Sequence, residues 1–144
     1  MDISNQEKGK KIMDYGYKRQ INQTFEETEQ SLRKTLIEEG FGVITEIDVK
    51  NIFKQKLNSD YKKYKILGVC EPHTANKALS IDEQIWLLLL CNIVIWENED
   101  KTTLVTAINS SVQLAIAGIS QLTEHADQIN QKLRTAVDKI WMML

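Results

Sequence analysis

The chain has 144 residues, 42% of them hydrophobic and 26% charged, a length and mix that fit one globular domain with its own core. Its 18 basic and 20 acidic residues leave a net charge of −2, which argues against a dedicated nucleic-acid or membrane-surface protein. One Pro and six Gly exclude long low-complexity linkers, two Cys exclude a disulfide framework, and the longest apolar run, Ile85 to Ile95, is too short to span a bilayer.

Residues 1–12 are polar, lack the apolar stretch of a secretion signal, and read as a loose tail. Residues 13–144 read as a single α+β domain, with a cytosolic setting and reduced thiols as the expectation. Met13, Tyr15, Tyr17 and Ile21 have the spacing of a strand with one wet face. Thr24 and Glu27 form a capping-box pattern that opens a helix carrying Phe25, Leu32 and Leu36 on one side, and Gly40 is placed to end it. Phe41 to Ile47 reads as a second strand. Asp48 is expected to cap a short helix with Ile52, Phe53 and Leu57 turned inward. Tyr64 to Cys70 is the third strand, and Pro72 starts a helix to Leu79. A fourth strand is expected from about Leu88 to Trp96, then a turn over Glu97 to Lys101, then a fifth strand from Thr102 to Ile108. Ser110 and Gln113 offer a second capping box, with Gly118 interrupting a small apolar stretch. The last helix has the clearest stripe: Leu122, Ala126, Ile129, Leu133, Val137, Ile140 and Leu144.

From Gly40-Phe41-Gly42-Val43-Ile44-Thr45-Glu46-Ile47-Asp48-Val49-Lys50 onward the sequence resembles the family named domain of unknown function 302. Tyr64 to Pro72, then Ala75, Ala78 and Leu79, then Leu89-Leu90-Cys91-Asn92-Ile93-Val94 continue the likeness, and Thr24 to Thr28 fit its helix start. The chain departs from the usual family pattern at Leu90, where a proline is usual, and at Asn109-Ser110, where Asp-Pro is usual. The resemblance implies an α+β fold of the TATA-binding-protein type, a curved antiparallel sheet of about five strands with helices on one face (β-α-β-β-β-β-α), and a homodimer. It implies no activity, and fold likeness to a DNA-binding protein does not carry function across.

Cys70 ends a strand just before a Pro-started helix, and a helix N-terminus favours thiolate. Cys91 sits among aliphatics, where a free Cys behaves as a small hydrophobe. Cys70 and His73 have a Cys-x-x-His spacing that Cys91 and His125 would complete as a zinc set, but only one pair has local spacing, so no metal is assigned. Glu46 and Asp48 share one side of a strand beside Lys50, as paired carboxylates for acid–base work or cation binding would, though capping and solvation also account for them. Lys50, Lys54, Lys56, Lys62, Lys63 and Lys65 interleave with Tyr61 and Tyr64, an arrangement that can hold single strands, against the acidic balance of the whole chain. No phosphate loop, zinc-protease or nucleophile-elbow motif is present.

The reading that follows is a cytoplasmic, dimeric ligand-binding or accessory protein rather than a standard enzyme. Its ligand is expected to be small and apolar, held on the sheet's inner face by Cys70, Cys91 and Asn92, with Glu46, Asp48 and Lys50 as further ligand-binding candidates. The sequence names no catalytic residue and no cofactor. The rivals are a thiol enzyme or sulfur carrier using Cys70, and an interaction module whose last-helix stripe, or whose Trp141-Met142-Met143 end, serves as a dimer seam.

Overall fold

The structure, a computed structural model, describes residues 14–142. The polar tail, Met13, Met143 and Leu144 therefore lie outside the described residues. Five strands form one open antiparallel sheet in the order β1-β5-β4-β3-β2. They are β1 (Gly16–Ile21), β2 (Gly42–Asp48), β3 (Tyr64–Cys70), β4 (Cys91–Glu97) and β5 (Thr103–Ile108). The helices are α1 (Phe25–Glu38), α2 (Val49–Leu57), α3 (Pro72–Ile81), α4 (Trp86–Leu89), α5 (Ser110–Ala115) and α6 (Thr123–Met142), with a 3₁₀ turn over Ser120–Leu122.

One side of the sheet is covered by α1 and α6. Alternation puts Leu67, Val69, Cys91, Ile93, Ile95, Val105 and Ala107 on this helix side, where they meet Leu32 and Leu36 of α1 and Leu133, Val137 and Ile140 of α6. Phe25 and Phe41 bracket α1 in the same cluster. Thr24 Oγ1 accepts from Glu27 N at 3.1 Å and starts α1; Gly40, at φ +88°, ends it in the left-handed region that suits glycine. A second cluster forms around Cys70, Ala75, Ala78, Ile85, Leu89, Leu114, Leu122 and Ala126, drawing in α3, α4, α5 and the start of α6. The last-helix stripe is thus spent on both clusters, and its described members through Ile140 are buried rather than offered as a dimer seam.

Three expected elements differ. The apolar run before Cys91 is not strand throughout: Trp86–Leu89 is a helical turn, with Ile85 and Leu89 buried four residues apart and Leu87 exposed. A short run apolar at every position gives no period to tell helix from strand. Helix α2 is capped as expected, Asp48 Oδ1 accepting from Asn51 N at 3.0 Å, but none of its residues is buried; Ile52 and Leu57 are exposed. It forms the connection from β2 to β3 and leans on β3, with Phe53 edge-on to Tyr61 at 5.2 Å. Helix α5 is capped by Asn109, whose Oδ1 accepts from Ser111 N at 3.1 Å, and not by Ser110. Gln113, the other half of the expected box, instead donates from Nε2 to Leu90 O at 2.8 Å.

Gly68 is required by close approach. A Cβ there would fall on Thr45 Oγ1 of β2, where that strand shifts register between Val43 and Thr45, and would press against Leu90.

Candidate functional site

Cys91 and Asn92 face opposite sides of the sheet. Cys91 is buried on the helix side, while Asn92, paired with Gly68, is exposed on the bare side. Cys70 belongs to the second cluster. The three residues expected to line one apolar site are therefore divided among two cores and an open surface, and the space between sheet and helices is filled by side chains. Cys70 follows Val69, the register partner of Cys91, so the two thiols stand on adjacent strands.

Both thiols are held protonated. Burial pushes Cys91 up to about 11, reinforced by nearby Cys70; the Ser110 hydroxyl pulls the other way without reaching hydrogen-bond geometry. Burial also raises Cys70, and the Glu71 carboxylate raises it further. The helix field that would have favoured a Cys70 thiolate is answered by Glu71, whose carboxylate oxygens accept from His73 N at 3.1 Å and Thr74 N at 2.7 Å. Among the described residues, no group of three or more His, Cys, Asp or Glu stands close enough to hold a metal, so Cys70, His73, Cys91 and His125 do not assemble.

Glu46 and Asp48 share the helix side at its rim, in register with Leu67 and Lys65. Asp48 is occupied by capping. Glu46 belongs to a four-charge network with Glu29 and Arg33 of α1: Lys65 Nζ reaches Glu29 at 2.8 Å and Glu46 at 2.7 Å, and Arg33 reaches them at 3.0 and 2.9 Å. The Lys65 hydrogen bond holds the Glu46 carboxyl below its ordinary range. Lys50 Nζ donates to Tyr61 O at 2.7 Å. These three residues tie α1, α2 and the β2 edge together.

A cavity of about 310 Å³ opens between α5, the 3₁₀ turn and α6. Leu114, Ile119, Leu122 and Ala126 supply its apolar wall, and Ser111, Ser120 and Thr123 bring hydroxyls. Leu114, Leu122 and Ala126 also belong to the cluster that contains Cys70, so the floor is part of a packed core. Gly118, at φ +68°, turns the chain at the mouth with nothing within 4 Å of where its Cβ would be. Of the residues expected from sequence, Cys70 alone lies in this neighbourhood. The only sequence signal for the cavity was the break at Gly118 between two helical stretches.

The model of the family described as domain of unknown function DUF302 matches residues 17–140. The chain belongs to the DUF302 family. The crystal structure of an uncharacterized conserved DUF302 protein from Bacillus stearothermophilus superposes with a TM-score of 0.81 at 23% identity, covering 89% of this chain and 99% of that one. At that identity the likeness shows the fold. No curated protein matches the chain. Among the described residues of this DUF302 domain, no helix is long and apolar enough to cross a membrane. The two departures from the family pattern have structural counterparts: Leu90 covers Gly68, and Asn109 caps α5 while also accepting from Asn130 Nδ2 at 2.8 Å.

Proposed function

We infer that this DUF302 domain is a binding protein for a small, uncharged, largely apolar molecule, held between α5 and α6. The observation that supports it is the 310 Å³ cavity with an aliphatic wall and hydroxyls around it. That volume is at the lower end of small-molecule sites, roughly 300–1,000 Å³, and the mixture of apolar wall and few polar groups is their usual chemistry. No charged side chain is among its lining residues, which disfavours an anion or cation as the ligand. Nothing at the thiols supports nucleophilic chemistry, since both are held as neutral SH.

The test is binding of phenylnaphthylamine, an uncharged dye that brightens in apolar surroundings. The expected result is saturable binding that Ala115→Phe weakens at least about 10-fold; Ala115 is an exposed wall residue, so the variant folds. Binding that is equal in both proteins would place the dye elsewhere and end this reading. Native mass spectrometry of the purified protein gives an independent check, because a retained ligand adds mass that denaturation removes.

Self-association is a second reading, favoured by one end of the helical layer. Lys139 of α6 pairs with Glu38 and Glu39 at 3.4 and 2.7 Å, so the C-terminal ends of α1 and α6 are neighbours. Ile37, Trp141 and Met142 are all exposed there.

A further inference from the structure

The strands present charge of one sign to the side of the sheet away from α1 and α6. The strand carboxylates, Glu46, Asp48 and Glu97, all have helix-side register partners: Leu67, Lys65 and Thr103. Of the strand cations, Arg19 and Lys65 are on the helix side and paired with carboxylates. Lys18 alone points to the bare side, and among the described residues it has no carboxylate partner. Lys62, in the loop before β3, likewise has none. The strands of a chain acidic overall thus turn no carboxylate to this face.

That face is also aromatic. Trp96 lies parallel to Tyr64, with ring centroids 5.7 Å apart and 7° between the planes. Tyr61 follows at 6.3 Å from Tyr64. The ammoniums of Lys18 and Lys62 hover 5.7 and 5.9 Å from the Trp96 ring, and Lys62 is 5.7 Å from that of Tyr61. In the next row Ile47, Ile66, Val94 and Thr106 run in register across four strands, on the side away from α1 and α6.

We propose that this bare face binds single-stranded nucleic acid, with bases stacked on Trp96, Tyr64 and Tyr61 and phosphates held by Lys18 and Lys62. Every base has a stackable face, so such a surface holds strands without reading sequence. The lysines now resting over Trp96 have found only a ring quadrupole as a partner; a phosphate gives them a full opposite charge, and their departure uncovers the indole. Charge complementarity selects this occupant over a second copy, which would bring the same unneutralised lysines and no carboxylate. The sheet is roughly 19 Å across at about 4.8 Å per strand, an open platform suited to a chain of nucleotides rather than to one enclosed molecule.

The site is separate from the α5–α6 cavity and is tested separately. Fluorescence anisotropy of a labelled twelve-nucleotide oligothymidylate is measured with the full chain in about 50 mM salt, the range in which phosphate contacts are strong. The wild type is expected to bind. Lys18→Glu/Lys62→Glu is expected to lose at least about 10-fold in affinity and to flatten the log–log salt slope by roughly 1.4, at about 0.7 per phosphate contact on single strands. Trp96→Leu is expected to lose roughly 10-fold through stacking alone, with the slope unchanged. Lys18 and Lys62 are surface positions and Trp96 is half-buried, and unchanged melting curves confirm that the variants fold. No binding by the wild type, equal binding by the double lysine variant, or tighter binding of the duplex overturns the proposal. So does light scattering that shows a wild-type dimer split by the lysine changes, because a second copy would then cover this face.

Discussion

At the scale of single residues, strand alternation decides most of what the site residues can do. Cys91 and Asn92 are adjacent in the chain, yet one is sealed against α1 and α6 and the other faces out beside Gly68. A period of two cannot place neighbours on the same surface. The thiols give a direct prediction. With Cys91 raised to about 11 and Cys70 also raised, neither holds appreciable thiolate at pH 8. Native protein should react with an aromatic disulfide reagent at least ten-fold more slowly than free cysteine, roughly in line with thiolate fraction and access, and both thiols should appear at once in denaturant. A native thiol reacting as fast as free cysteine would reopen a thiol function. The sequence made Cys70 look activated because it showed the helix start; it did not show that Glu71 would turn its own carboxylate onto His73 N and Thr74 N.

At the scale of elements, those with a clean period were legible and those without were not. Helix α1, strands β3 and β5 and helix α6 carry 3.6- or 2-residue patterns with recognisable ends, and each stands within a few residues of where the sequence put it. Helix α4 departs from the sequence reading in its existence, and helix α2, present and capped by Asp48 as expected, departs only in the burial of Ile52, Phe53 and Leu57. The residues of α4 are apolar at every position, so no period marks them. Those of α2 have a helical period, but Phe53 is only partly covered, against Tyr61, and Ile52 and Leu57 stay exposed. The cavity between α5 and α6 was marked only by the break at Gly118, because it arises from how a broken helix folds back on the next one.

The four-charge network belongs to this scale too, since it fastens α1 to β2 and β3. Burial pulls the Lys65 ammonium down, but its hydrogen bonds to Glu29 and Glu46 outweigh that, and its pKa ends above the ordinary 10.5. Glu46 ends below the ordinary 4.5, with the Lys65 hydrogen bond as the main cause. A lowered carboxylate stabilises the fold above about pH 4.5 and loses that effect as pH falls through its folded value; a raised ammonium stabilises below about pH 10.5 and loses it as pH rises. The network therefore supports the fold across that window and weakens on both flanks. Glu46→Gln should cost about 0.5–1 kcal/mol at pH 7 in denaturant melts, because Glu46 is half exposed and solvent screens it. The difference from wild type should vanish near pH 3, and a constant difference at all pH values would mean that its charge is not what matters.

For the molecule as a whole, the remaining exposed apolar surface shows where partners can act. The stripe of α6 is used internally, and Ile37, Trp141 and Met142 at the C-terminal ends of α1 and α6 are among the apolar residues left exposed. If the domain is a dimer through that end, Trp141→Ala should shift light-scattering mass toward the monomer at micromolar concentration, with no change in melting of the monomer. An unchanged dimer removes this surface from consideration. The sheet has a further consequence that concerns synthesis. Strand β1 pairs only with β5, Gly16 against Ile108, so its partner is made about ninety residues later. While β2, β3 and β4 can join in order as they leave the ribosome, the first strand must wait for nearly the last. Until then it is an unpaired segment, and the edge of β4 that will receive β5 is open as well, so both are places where a neighbouring nascent chain could pair.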